Sequence, residues 1–333
     1  MILVTGGTGL VGAHLLLKLT ENEDSVRAIF RENDSIEKTK VLFQRYEKEN
    51  LFSKIAWIQA DIIDIPSLEI AFENIDYVYH CAGLISYNPD DENKLRKTNI
   101  EGTANIVNFC LHFKIKKLCH VSSIAALGTL ATNETQITET TEWNPEIPHS
   151  DYAISKYGAE MEIWRGQQEG LNVVIVNPGV IFGTGFWNQG SGLFFSAVKK
   201  GFPFFTTGST GYVGVTDVVK IMIQLMKSDI TGERFTVISE NLTFKEVIFS
   251  IADNLKVSKP KIKAKPWMTS IGWKIDWLVS LLFRTPRKLS KYTANSLHSS
   301  DYLSNEKIKN SGLNFEFQSI DTVIKEVVLF ETK

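Results

Sequence analysis

Three residues in the middle of the chain are of the types that move protons. Tyr152 and Lys156 stand four apart in Tyr-Ala-Ile-Ser-Lys, so a helix would carry phenol and ammonium on one face. A cation there favours phenolate, and Lys156 is expected to lower the Tyr152 pKa toward a value useful for proton transfer at neutral pH. In a chain with nine tyrosines such a spacing is by itself as readily a surface pair. Upstream, however, Val121-Ser122-Ser123 ends a strand-like run, and open α/β sheets bind ligands at that carboxyl edge. A hydroxyl at Ser123 could hold the same carbonyl oxygen that the phenol protonates.

A second group of residues reads as a phosphate cradle. Thr5-Gly6-Gly7-Thr8-Gly9-Leu10-Val11-Gly12 directly follows an apolar run and opens a helical pattern. Gly6 would permit the tight turn, Gly9 a close approach of a pyrophosphate, and Gly12 close helix–strand packing. Free amides and the positive end of the helix would face the phosphates. The second strand, Val26-Arg27-Ala28-Ile29-Phe30, should end at the adenosine ribose, and Arg31 stands at its tip with Lys38 on the next helix. Cations there suit the 2′-phosphate of NADP, although Glu32 next door is the kind of carboxylate that would select NAD. NADP is the expected cofactor, with NAD as the alternative.

The elements that must position these groups follow from periodicity. Short β-branched or aromatic runs (ILVT, VRAIF, KIAWIQ, DYVYHCA, KKLCHVSS, NVVIVNP) alternate with helical patterns. The helices are placed at about 10–21, 35–48, 66–73, 91–112 and 152–169. This is an α/β chain with a doubly wound parallel sheet. After Pro178 the texture becomes rich in Gly and Phe, as in a smaller lobe closing a cleft, and GYVGVTDVVKIMIQLM with RFTVIS is expected to return to the main sheet. The division predicted is a dinucleotide-binding domain over residues 1–178 plus about 212–240, with a substrate lobe of 179–211 and 241–333.

Composition narrows the class. The 333 residues carry 36 Lys+Arg against 38 Asp+Glu, a net charge of −2, and 43% hydrophobic residues. That is globular, not disordered, and gives no whole-molecule attraction for nucleic acid. Cys81, Cys110 and Cys119 are odd in number and lack CxxC spacing, which supports neither a disulfide framework nor a zinc site and suits a reducing compartment. No metal is expected. The N-terminus shows no basic region, apolar core or cleavage site of an export signal, so the cytoplasm is the expected location.

The chain resembles the extended short-chain dehydrogenases/reductases, the NAD-dependent epimerase/dehydratase family, whose fold is a Rossmann-type sheet with a smaller C-terminal substrate lobe. The glycine run is similar to the family's TGxxGxxG. The resemblance implies that Asp61, in Ala60-Asp61, reads the adenine amino group beside Ile62. It implies that Cys81-Ala82-Gly83, after His80, lies along the nicotinamide side with Val121, and that Asn177-Pro178-Gly179 and Val180 lie beside the carboxamide. Asn99, in TNIEGTANIV, matches the helix asparagine of a Ser-Tyr-Lys-Asn proton relay, which would make Ser123, Tyr152, Lys156 and Asn99 the catalytic set. Lys156 would also anchor the nicotinamide ribose. Gly214-Val215-Thr216-Asp217 matches a later strand-to-helix segment, where Asp217 reads equally well as a helix cap or as a ligand. Homodimerisation through helices that include the Tyr152 helix is a further option the resemblance brings.

Subgroup details favour greasy substrates. The Asp-Glu pair of sugar-nucleotide dehydratases is absent, since Ile124-Ala125 follows Ser123, and Leu127-Gly128 stands where epimerases often carry Tyr-Gly. The VRAIFR strand and the stretch from Leu289 to Phe317 resemble bacterial members near dihydroflavonol reductases and 3β-hydroxysteroid dehydrogenases. The expectation is an NADP-dependent reductase or dehydrogenase acting on an apolar aldehyde, ketone or secondary alcohol. Leu84, Ser123, Phe182, Phe186, Trp187 and Phe194 would meet the substrate. The alternatives are a sugar-nucleotide epimerase using bound NAD and a non-catalytic dinucleotide-binding scaffold.

One segment departs from the chain's charge balance. Residues 259–291 hold nine basic residues (Lys259, Lys261, Lys263, Lys265, Lys274, Arg284, Arg287, Lys288, Lys291) against Asp276, and three of the seven tryptophans. Trp267, Ile271, Ile275, Leu278 and Leu282 form a helical stripe, but Trp273, Val279 and Phe283 lie off it and Lys274 falls within it. A helix apolar on most sides is more often buried, so packing in the lobe and lining of the pocket is the expectation, with weak membrane-surface contact or an anionic substrate site as the alternatives.

Overall fold

The computed structural model describes residues 1–22, 25–130, 134–283, 287 and 289–332. Its first half alternates strand and helix as follows: β1 (Ile2–Thr5), α1 (Leu10–Asn22), β2 (Val26–Phe30), α2 (Asp34–Arg45), α3 (Glu49–Phe52), β3 (Ile55–Gln59), α4 (Ile65–Phe72), β4 (Tyr77–His80), α5 (Glu92–Leu95), α6 (Gly102–His112), β5 (Lys117–Val121), α7 (Asp151–Gln168) and β6 (Val173–Pro178). A π-helical turn, Arg96–Glu101, joins α5 to α6. The six strands and five helices expected here are present, with boundaries shifted by a few residues and the 91–112 helix split into three parts. The remainder comprises β7 (Val180–Phe182), α8 (Leu193–Lys199), β8 (Phe204–Phe205), β9 (Ser209–Gly214), α9 (Val215–Lys227), β10 (Glu233–Val237), β11 (Glu240–Thr243), α10 (Phe244–Leu255), β12 (Ile262–Lys263), α11 (Pro266–Phe283), α12 (Lys291–Ser296), α13 (Glu306–Lys309) and α14 (Ile320–Thr332).

Seven parallel strands form the main sheet in the order β10-β6-β5-β4-β1-β2-β3. Strand order reverses at β1, with β4 on one side and β2 on the other, so the carboxyl ends of β1 and β4 border the crevice where such sheets take ligands. Apolar clusters cover both faces. Val4, Leu15, Leu16, Val176 and Ile221 belong to one; Leu3, Ile106, Leu118, Ile163 and Ile175 belong to the other. Strands buried on both sides explain why the sequence shows continuous apolar runs. Helix α1 is apolar almost all round because it is wedged between the sheet and α9.

The second half corrects one expectation. Strand β10 does return to the main sheet, but β9 does not: it runs between β7 and β11 in a separate three-stranded sheet. That sheet, with α8, α10 and α14, surrounds a further core containing Phe182, Phe195, Tyr212, Val247 and Ile324. Tyr212 points into this core, which is why the apolar run looks like a main-sheet strand.

Candidate active site

The glycine run forms a cradle at the end of β1. Gly6 has φ +68°, and a Cβ there would lie 2.6 Å from the Ala82 nitrogen. At Gly12 a Cβ would lie 2.1 Å from the Gly6 carbonyl oxygen, so helix and turn touch backbone to backbone. Gly9 differs: a Cβ would meet just the Gly6 oxygen, at 3.5 Å, leaving its outer side open. The Gly9 N–H closes the turn onto Gly6 at 3.0 Å, and Thr39 donates to the Gly7 carbonyl at 3.0 Å. Thr8, Leu10 and Val11 are half-buried at the mouth of α1, whose first amides have no carbonyl one turn earlier to bind. An open glycine before unspent amides fits a diphosphate.

At the other end of the crevice Arg31, one residue past β2, is exposed, as is Lys38 on α2. Neither side chain has a hydrogen-bond or ion-pair partner among the described residues. Asp61 follows β3 and accepts the Ile63 N–H at 3.2 Å. Ile62 is buried against Gly102, where a Cβ would lie 2.5 Å from its side chain. After β4, the Ala82 N–H donates to Thr5 Oγ1 at 3.1 Å, and Thr5 also bonds His80 Nδ1 at 2.7 Å. Burial drives the His80 pKa down to about 3, so a neutral ring serves as a spacer under Cys81-Ala82-Gly83.

Ser123, Tyr152 and Lys156 meet between these ends. Ser123 Oγ caps a short turn by accepting the Ala125 N–H at 3.1 Å, and it lies near enough to the Tyr152 phenol to favour its ionised form. Ser150 caps α7 through the Ala153 N–H, which fixes Tyr152 in the first turn. One turn on, Lys156 Nζ donates to the Val121 carbonyl at 2.9 Å and lies 3.9 Å from where a Gly83 Cβ would be. Burial lowers the Lys156 pKa to about 8, against the opposing charge of Glu160. The expectation for Tyr152 needs correction. Burial raises its phenol well above the usual range and Tyr87 adds to this, while the nearby Ser123 hydroxyl pulls the other way. Lys156 is committed to the Val121 carbonyl, and burial sets the state of the phenol.

Asn99 also differs from the implied relay. In the π-helical turn its amide nitrogen donates to the Leu84 carbonyl at 3.0 Å and to Ser155 Oγ at 2.8 Å, and its oxygen accepts the Leu84 N–H at 2.7 Å. Both amide hydrogens are spent on protein, so Asn99 clamps the strand-4 loop. Asp217 is no cap: it lies buried within α9 and accepts the Gln318 N–H at 2.8 Å. Asn177 donates to the Ser123 carbonyl at 2.9 Å. Pro178 and Val180 flank Gly179, whose Cβ would sit 2.3 Å from the Gly211 oxygen.

The substrate side is where the sequence reading fails most. Phe182, Phe186 and Trp187 are core: Phe182 packs on Phe194, Phe195 and Tyr212, Trp187 on Phe195, and Phe186 with Ala13 and Leu42. Phe194 is half-buried and stacks on Phe244. The stripe of α11 faces outward, so it does not line a pocket; Arg284 and Lys288 lie outside the described residues. Residues the sequence reading missed border the site instead. Tyr87 lies 5.7 Å from the Tyr152 ring, centroid to centroid, and is half exposed, like Ile85. Their signal was their place just after the strand-4 motif. Glu160, fully buried, was missed too. It accepts from Ser122 Oγ, Asn177 Nδ2 and, at 2.9 Å, Arg234 Nη1, tying α7 to the strand ends that carry Ser123. Its signal was an acid four residues past Lys156, on the same helix face.

A model of the NAD dependent epimerase/dehydratase family matches residues 2–237. The chain is 27% identical over 297 residues to sterol demethylase protein B of Methylococcus capsulatus, covering 86% of this chain and 84% of that protein. It is 26% identical over 292 residues to a putative dihydroflavonol 4-reductase of Synechocystis sp., covering 85% and 81%. Among solved structures, UDP-glucose 4-epimerase with UDP-glucose from Thermotoga maritima superposes with a TM-score of 0.76 over 99% of this chain and 98% of that one. At 20% identity this is a likeness of fold.

Proposed function

The chain belongs to the NAD dependent epimerase/dehydratase family, and from that premise we propose that it is an NADP-dependent reductase or dehydrogenase of apolar aldehydes, ketones or secondary alcohols. The observation that carries the proposal is the convergence of Ser123, Tyr152 and Lys156 beside the Gly83 edge of the dinucleotide crevice. In this reading the cradle at Gly6, Gly9 and Gly12 holds the diphosphate, with Asp61 and Ile62 at the adenine and Arg31 and Lys38 at the 2′-phosphate. Gly83, Lys156 and the Asn177–Val180 turn flank the nicotinamide end. When bound, the cofactor supplies the hydride that the carbonyl carbon receives.

This chain's own residues do the rest. Ser123 Oγ holds the carbonyl oxygen, and the neutral Tyr152 phenol passes it the proton that completes the alcohol. A phenol kept neutral by burial is the correct state for an acid. Lys156, with a pKa near 8, is mostly charged at neutral pH and offsets the phenolate left behind. Asn99 holds Leu84 in place at the edge of the substrate space. Support for a weakly polar substrate comes from Ile124-Ala125, which put no acid–base pair next to Ser123, and from the exposed Ile85 and Tyr87 at the rim. The names of the sterol demethylase protein and the dihydroflavonol reductase point the same way. Free Cys81, Cys110 and Cys119 accord with a place in the cytoplasm.

The test is a panel of aryl and alicyclic aldehydes and ketones assayed for NADPH and NADH consumption, beside UDP- and dTDP-hexoses. Reduction of panel members, with NADPH preferred and the preference narrowed about tenfold in Arg31→Ala, is the expected result. Saturable sugar-nucleotide binding with no carbonyl reduction would favour the epimerase instead.

A further inference from the structure

Helix α11 is packed the wrong way round for a helix in water. The side turned to the protein carries Thr269, Gly272, Asp276 and Ser280: Thr269 bonds His298 Nε2 at 2.9 Å, Asp276 accepts the Leu289 N–H at 3.1 Å, and a Cβ on Gly272 would touch Leu289. The outward side carries Trp267, Ile271, Ile275, Leu278 and Leu282, which are 48–67% exposed. Soluble helices place these classes the other way. Trp277 and Val279 widen the outward face, and the preceding strand β12 adds Ile262 beside β8.

The surrounding charge identifies what would cover such a face. Exposed Lys261, Lys263 and Lys265 precede the helix, Lys274 rises within the stripe and Lys291 opens α12. None of the five forms an ion pair with a described residue. From Asn254 to Ser300 the chain has one acid, Asp276, on the inner side. An apolar stripe with indole groups, bordered by lysines that have no ion-pair partner among the described residues and whose stems can lie along lipid while their ammonium groups reach phosphates, has the chemistry of an interfacial helix. No described helix is long and apolar enough to cross a bilayer, so α11 would lie in the surface.

The position of α11 links this face to the site. Helix α11 packs on α12, Tyr292 of α12 lies close enough to Tyr87 to influence its ionisation, and Tyr87 contacts the Tyr152 ring. We propose that α11 seats the protein on an anionic phospholipid surface, holding the mouth of the Tyr152 site at the interface so that apolar carbonyl compounds enter from lipid. The delivery half of this proposal rests on the reductase reading; the docking half does not.

The full chain should co-sediment with vesicles of phosphatidylcholine and phosphatidylglycerol, more weakly with phosphatidylcholine alone, and less as salt rises. Two triple variants, Ile271→Ser/Leu278→Ser/Leu282→Ser and Lys261→Glu/Lys263→Glu/Lys265→Glu, change exposed side chains and should keep the parent's circular dichroism and melting temperature. Each should weaken vesicle binding by about tenfold or more. Absence of parent binding, or equal binding by the serine variant, would overturn the docking proposal. So would a parent dimer in sedimentation equilibrium that the serine variant converts to monomer, since a second copy would then cover the face. Delivery is read separately: the KM for a ketone dissolved in vesicles should rise in the serine variant while that for a water-soluble ketone stays unchanged. Equal vesicle KM values would overturn delivery and leave docking standing. Vesicle binding needs no turnover, so failure of the reductase reading would show as silent assays with docking intact.

Discussion

The crevice at β1, β4 and α7 and the surface helix α11 are built on opposite rules. In the crevice most buried polar groups are answered: Glu160 holds Ser122, Asn177 and Arg234, Asn99 holds Leu84 and Ser155, and Thr5 holds His80 and Ala82, while the Asn177 Oδ1 and the His120 ring nitrogens have no hydrogen-bond partner among the described residues. Around α11 the small and polar side chains face the protein and the large apolar ones face out. The first arrangement is satisfied mostly within one chain, because buried polar groups without partners cost free energy. The second becomes favourable only when something else covers it. Chemistry is thus fixed by the fold, while access to it depends on the surroundings.

The largest expected effect tests the crevice. Tyr152→Phe removes one oxygen, so turnover should fall by about 10²- to 10⁴-fold while titration with NADPH shows unchanged affinity. Parental turnover would show that the proton comes from elsewhere. Next comes the network beneath it. Glu160→Gln leaves Arg234 facing a neutral group in a buried place, and denaturant unfolding should register a loss of about 3–5 kcal/mol. A loss under about 1 kcal/mol would mean that the crevice is less interdependent than its hydrogen bonds imply.

Lys156 offers a gain to set against these losses. Its folded pKa, near 8, lies below that of an unfolded lysine, so the unfolded chain binds more protons between those values and stability from this group rises with pH across the window. Below the window the folded protein carries a costly buried charge. Lys156→Met should therefore abolish turnover yet melt higher than the parent at pH 7, by about 2–4 °C for each kcal/mol recovered. The advantage should shrink as pH rises above 8. A lower melting temperature would show that the bond to the Val121 carbonyl outweighs desolvation. The smallest expected change lies on α11, where the serine triple variant should shift folding stability by less than about 0.5 kcal/mol per site. A loss of several kcal/mol would mean that this face is covered within the chain after all.

The same contrast explains what could be read in the sequence. The glycine spacing, the strand runs and the Tyr152–Lys156 pair are local, and backbone geometry alone requires them: a Cβ at Gly6 or Gly12 collides with main chain whatever the rest of the protein does. Which side of an apolar element meets water is decided at long range. Phe182, Phe186 and Trp187 look alike as pocket wall and as core, and it is α14, α10 and the back of α1 that bury them. The stripe on α11 was visible, but its direction was not, since an apolar helix in sequence has no sign for inside. Strand β9 reads as a main-sheet strand for the same reason. Asn99 and Glu160 act through partners at least 15 residues away, which no motif records.

The measurement that addresses the central claim most directly is hydride transfer itself. NADPH labelled with deuterium at the transferred position, incubated with an accepted ketone and the parent protein, should leave one deuterium on the carbinol carbon of each alcohol formed, read by mass spectrometry. Tyr152→Phe should form almost none. Intact labelled NADPH and unlabelled ketone, together with interconversion of a UDP-hexose by the same preparation, would contradict the account.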